Sequence, residues 1–138
     1  MCGLFGSVGN ALEHPEFRAS FDRLRHRGPD DTELVQPNGT VTLAFHRLAI
    51  MDPSHAGDQP FHSPDRSVWL MCNGEVYNYP ALHAQYADTY PFASHSDCEV
   101  ILPLYREFGI AETARRLDAE FALIIWDGQT GKLFAARD

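Results

Sequence analysis

Cys2 stands one residue from the start of the chain, followed by Gly3 and a short apolar run. Removal of Met1 would leave a thiol and a free α-amine on the same residue. Their ordinary pKa values, about 8.5 and about 7.7–8.0, both lie close to neutral pH. The amine can then take the thiol proton, directly or through water, and return it to a leaving group. A single cysteine is also commonly structural, so other residues must decide.

Asn73-Gly74, in "VWLMCNGEVYN", is the second candidate. One reading is a two-residue hairpin turn between Val68–Cys72 and Glu75–Tyr79. The other is an oxyanion site, with the Asn amide and the Gly N–H aimed at one point. Glycine would leave a substrate room to approach the backbone. Asn38-Gly39, with Pro37 and polar neighbours, has the look of a plain turn. Asn73-Gly74 instead closes a buried apolar run.

Arg47 follows apolar strand residues directly in "HRLAIMD". It is either a surface charge or a clamp, since guanidinium holds carboxylate bidentately. Asp97 opens a helical stretch. It either favours the helix dipole or serves as counter-ion to an α-ammonium group. "RHRGPDD", residues 25–31, is broken by Gly28-Pro29 and reads as a loop that organises or covers a site, without a catalytic role of its own. His26, His46 and the other histidines read as structural or solvated.

The elements that must position these groups follow from periodicity. Leu4–Val8 reads as a buried strand. Pro15–Leu24 reads as a helix, with Phe17, Phe21 and Leu24 at helical spacing. Thr32–Val35 and Thr40–Phe45 read as strands joined at Asn38-Gly39, and "HRLAIMD" continues the second as far as Pro53. A polar loop spans residues 54–66, followed by a strand over Ser67–Met71. Ser96–Phe108 shows a helical stripe closed by Gly109, with Ser96 and Glu99 spaced as a capping box. Ala111–Leu117 forms a further short helix. Phe121–Trp126 reads as a central strand, and Leu133–Ala136 returns beside it after a turn. Strands with helices between strand groups predict an α+β sandwich of antiparallel sheets. "KLFAARD" ends in mid-strand, so the chain reads as C-terminally incomplete.

Composition narrows the classes. With 138 residues and 44% apolar side chains, one core is available. A net charge of −8 argues against nucleic-acid binding. Three widely spaced cysteines suggest neither a disulfide framework nor a metal site, and reduced thiols fit a cytoplasmic protein. No stretch is long and apolar enough to predict a membrane span.

In this order, "MCGLFG", "RHRGPDD", "HRLAIMD" with "GDQP", "CNGEVYN", "SDCEVI" and "FAARD" resemble the glutaminase domain of class II glutamine amidotransferases, and within it the asparagine synthetase branch. The resemblance covers residues 2–138. It implies an N-terminal nucleophile hydrolase, a four-layer α/β/β/α sandwich that splits L-glutamine into glutamate and ammonia. By motif position Cys2 would be the nucleophile and its own amine the base, with Asn73 and Gly74 as the oxyanion hole. Arg47 would hold the substrate carboxylate and Asp97 the α-ammonium. Ile50, Met51 and Glu75 would line the pocket, largely through backbone groups. No cofactor is implied for this step; ATP and Mg would belong to a synthetase domain, separate from or missing from this chain. Ala119 and Glu120 depart from the family's usual glycine and apolar residue, and exposed strand edges would favour a homodimer. Two other readings stand beside this one. The chain would be a catalytically inactive remnant that binds glutamine or a partner, or a thiol amidase for another amide. Arg47 together with Asp97 favours a free amino acid as substrate.

Overall fold

The computed structural model describes residues 1–9 and 11–138. Its first sheet has three antiparallel strands: β1 (Gly3–Val8), β2 (Asp31–Val35) and β3 (Val41–Arg47), in the order β1-β3-β2. The second has four: β4 (Phe61–His62), β5 (Val68–Val76), β6 (Ala119–Asp127) and β7 (Lys132–Arg137), in sequence order. Three helices, α1 (Pro15–Asp22), α2 (Tyr79–Tyr86) and α3 (Ile101–Arg116), complete the elements used below.

Alternation of side chains along the strands builds the layers. All seven residues of β3 are buried. Val41, Leu43 and Phe45 meet Met71 and Trp126 of the second sheet. Ala44, on the opposite face, meets Phe17 and Phe21 of α1. In β5, Val68, Leu70, Cys72 and Val76 pack with Leu82 of α2 and Ile101 and Leu104 of α3, while Met71 faces the first sheet. The result is the expected α/β/β/α sandwich.

Asn38 makes the first hairpin as its type suggests: its Oδ1 accepts the N–H groups of Thr40 and Val41 at 3.0 and 2.8 Å, and Gly39 takes φ 79°. Asn73-Gly74 is no turn. β5 runs straight through both, paired residue for residue with β6 from Val68↔Asp127 to Val76↔Ala119.

Three local expectations need correction. The strand beginning at Val41 ends at Arg47 and does not continue to Pro53. Helix α2 was not legible, because only Leu82 and Tyr86 of its eight residues are buried and its apolar stripe is short; Pro80 in its first turn was the available signal. Ser96 does cap, accepting the Cys98 N–H, but Glu99 does not close a capping box. Its buried carboxylate instead accepts the N–H groups of Ala93 and Ser94 and the Ser94 hydroxyl. Gly109, at φ 73° and ψ 174°, breaks α3 into two helical stretches, in line with the reading of one helix closed by Gly109 and a further short helix after it.

His46 pins the α1 layer to the first sheet. It stacks on Phe21 with ring centroids 3.8 Å apart. Its Nε2–H donates to the Phe21 carbonyl at 3.2 Å, and Nδ1 accepts from the Thr32 hydroxyl at 2.8 Å. Burial holds its pKa below the ordinary 6.5. The unfolded chain therefore protonates first as pH falls, and the stability present above pH 6.5 is lost below it. Thermal unfolding between pH 7 and 5.5 should show a falling midpoint, and His46→Gln should flatten that slope. An unchanged slope would contradict this role.

Candidate active site

The end of the sandwich where β1 begins and β3 ends is where the candidate residues meet. Gly3 opposes His46 across β1 and β3, so the next pair along places Cys2 beside Arg47. Asn73 lies on the same inner face as Met71, two residues along β5. Cys2, Arg47, Ile50, Met51, Asn73, Gly74, Glu75 and Asp97 all line one cavity of about 550 Å³.

The backbone N–H of Cys2 donates to Asn73 Oδ1 at 2.6 Å. That nitrogen becomes the α-amine once Met1 is removed, and Met1 is 70% exposed. The Leu48 N–H donates to Cys2 Sγ at 3.3 Å. Arg27 Nε donates to the Cys2 carbonyl at 2.9 Å. The loop of residues 25–31 thus reaches the candidate site through Arg27, and through Asp30, whose carboxylate accepts the Ala49 N–H at 2.8 Å. The other two cysteines are different. Both are buried, and the Cys98 thiol is held well above its ordinary pKa by its hydrogen bond to Cys72 and by burial.

Because strand N–H groups alternate between edges, Val68, Leu70, Cys72, Gly74 and Val76 all present theirs to the side of β5 away from β6. Val68 is met there by Ser63 and Val76 by Asp97, whose Oδ2 accepts the Val76 N–H at 2.6 Å. Gly74 lies between, with its N–H turned to the cavity. A Cβ at Gly74 would come within 2.1 Å of the Glu120 carbonyl, so only glycine fits this approach of β5 to β6. With Asn73 Oδ1 turned to Cys2, its Nδ2 is a donor without a protein acceptor among the described residues. The corner therefore offers two N–H donors beside the Cys2 sulfur.

Asp97 is 4% exposed, and its second oxygen has no protein donor among the described residues. Arg47 is more committed. Its Nη1 donates to Asp58 at 2.5 Å and to the Ser54 carbonyl at 2.8 Å. Its Nη2 donates to the carbonyls of Met51 and Asp52. Among the described residues only the Nε–H has no acceptor. Arg47 thereby ties down the loop of residues 48–58, whose far side is held by Asp52. The Asp52 carboxylate accepts from the Ser54 hydroxyl at 2.6 Å and the His95 N–H at 2.8 Å, bonds that lower its pKa. Ile50 and Met51 form an exposed rim, 70% and 42% accessible. Glu75 is exposed and directly opposite Glu120, so the departure at position 120 puts two carboxylates side by side at the cavity mouth.

Two antiparallel sheets between helical layers, with a cysteine leading into an inner-face strand, define the class: an N-terminal nucleophile hydrolase fold. The chain belongs to the class II glutamine amidotransferase domain family, whose family model, "Glutamine amidotransferase domain", matches residues 1–138. It is 39% identical to asparagine synthetase B [glutamine-hydrolyzing] of Escherichia coli K12, over all of this chain and 25% of that protein. It is also 40% identical to amidase chry2 of Gibberella zeae, over 89% of this chain and 18% of that protein. The glutamine phosphoribosylpyrophosphate amidotransferase of B. subtilis, complexed with ADP and GMP, shares the fold with a TM-score of 0.74 at 18% identity, covering 99% of this chain and 36% of that one. The chain spans about a quarter or less of the length of these curated relatives. Among the described residues no helix is long and apolar enough to cross a membrane.

Proposed function

We propose that residues 2–138 hydrolyse the side-chain amide of L-glutamine to glutamate and ammonia through a thioester on Cys2. The Cys2 amine takes the thiol proton and Sγ attacks the amide carbon. Negative charge develops on the amide oxygen, where Asn73 Nδ2 and the Gly74 N–H receive it. Collapse expels ammonia, protonated by the same amine. Water then attacks the thioester with the amine as base, releasing glutamate and restoring the thiol. Asp97 takes the substrate ammonium on its open oxygen, aided by Glu75. Arg47 meets the substrate carboxylate through Nε–H or by exchanging Asp58 for it. Met51 and Ile50 close the rim. This chemistry draws on the protein and water and calls for no metal or cofactor.

The observation that carries this reading is the 2.6 Å contact between the Cys2 nitrogen and Asn73, with sulfur, amine and oxyanion donors gathered in one corner. We further propose that the ammonia serves an ATP- and Mg-dependent synthetase domain that makes asparagine, in the cytoplasm. A non-removable N-terminal extension is expected to abolish glutamine hydrolysis while leaving the thiol and the fold in place. Full activity in the extended protein would exclude the amine as base.

A further inference from the structure

β4 pairs with β5 over only two positions, Phe61↔Leu70 and His62↔Trp69. The same register places Pro60 opposite Met71 and Gln59 opposite Cys72. Backbone pairing stops there, and no backbone rung forms between residue 59 and Cys72. The Gln59 side chain takes over. Its Nε2 donates to the Cys72 carbonyl at 3.0 Å, and its Oε1 accepts the Cys72 N–H at 2.7 Å. A primary amide has the donor and acceptor of a peptide unit, so this pair reproduces the missing rung. Gln59 is 7% exposed and lines the cavity. One alternation further along the same edge is the Gly74 N–H, which meets no strand.

We propose that Gln59 is a positioning residue for the oxyanion site, an inference that rests on the glutamine hydrolysis set out above. It supplies the last rung of the β4–β5 ladder, and that rung does two things. It fixes the Cys72 peptide immediately before Asn73, so that the Asn73 amide and the Gly74 N–H converge on one point. It also ends strand pairing at Cys72, because a side-chain amide cannot propagate a ladder, and so leaves the Gly74 N–H open to substrate. Asp97 performs the matching closure at Val76, so the Gly74 N–H lies between two side-chain rungs. Gln59 touches neither Arg47 nor Asp97 among its hydrogen bonds, so its loss acts on the transition state and spares substrate affinity.

The test is steady-state glutamine hydrolysis by the full chain as wild type, Gln59→Met and Gln59→Glu, with kcat expressed per Cys2 thiol titrated by alkylation. Gln59→Met keeps the length and removes both hydrogen bonds; kcat should fall about 100-fold, the cost of roughly 1 Å of misplacement, with KM within about threefold of wild type. Gln59→Glu keeps the shape. Ionised, it accepts from Cys72 N–H but cannot donate to the carbonyl; protonated, it does both. Its kcat relative to wild type should therefore rise as pH falls from 8 to 5.5, a signature that a merely structural loss would not give and that stands even where Gln59→Met fails to fold. An unimpaired kcat in folded Gln59→Met, or a flat Gln59→Glu to wild-type ratio, overturns the inference alone. A wild type without turnover overturns the glutamine reading and this inference with it.

Discussion

Cys2→Ala is expected to remove glutamine hydrolysis, by roughly 10⁴-fold or more, while the protein stays folded. In the proposed mechanism the Cys2 sulfur is the nucleophile, so no partial pathway should survive its loss. Cys72 and Cys98 cannot replace it: both are buried and hydrogen-bonded to each other, and Cys98 is held as the neutral thiol. The structural cost is small. Cys2 is half-buried at the margin of the inter-sheet apolar cluster, and its sulfur hydrogen-bonds the Leu48 backbone, at 3.3 Å to its N–H and 3.7 Å to its carbonyl. The Cys2 N–H and carbonyl, which Asn73 and Arg27 hold, are kept in the alanine variant. Glutamate release and a thermal melt, measured together, check both halves. Turnover near the wild-type level would remove Cys2 from the mechanism.

Asn73→Ala is the second large effect. It removes one of the two N–H donors of the proposed oxyanion corner, and loss of one such donor lowers kcat about 10²–10³-fold. It also deletes the acceptor of the Cys2 nitrogen, which aims the amine. In the proposed reading Arg47 and Asp97 hold the substrate's charged ends, so KM should move little. Stability should move little as well, since the β5–β6 pairing around residue 73 is made by backbone. A variant that loses affinity but keeps kcat would place Asn73 in substrate binding instead of charge stabilisation.

How far the sequence discloses such a site depends on what holds each residue. Cys2, Arg47 and Asn73 are legible by type and by place, because each lies at or near the end of an apolar strand, where a side chain on the inner face reaches the open end of the sandwich. The strand reading of Asn73-Gly74 is settled only in three dimensions. A nine-residue partner, β6, keeps β5 extended through a dipeptide that elsewhere makes a turn. Arg47 shows the limit of reading by type. A guanidinium after a strand suggests a free clamp, yet Asp58 and three carbonyls of the following loop take its four Nη protons.

Gln59, Arg27 and Glu99 were beyond reach for one shared reason. Each side chain bonds backbone groups that secondary structure leaves unpaired, and periodicity carries no record of which groups those are. Gln59 stood within "GDQP", but only the β4–β5 register shows that it replaces a strand. Arg27 lies in a loop read as organising or covering a site, and its contact spans 25 residues to Cys2. The fold was easier. Alternating strands and the stripe on α3 announce two sheets and a helical layer, whereas α2 hides because two buried residues make no period.

The most direct measurement is mass spectrometry of protein quenched in acid during turnover of glutamine, followed by mapping of the N-terminal peptide. The account predicts a peptide that begins at Cys2 and carries a glutamyl group on its sulfur. A peptide that retains Met1, or an unmodified Cys2 while glutamate accumulates, would contradict it.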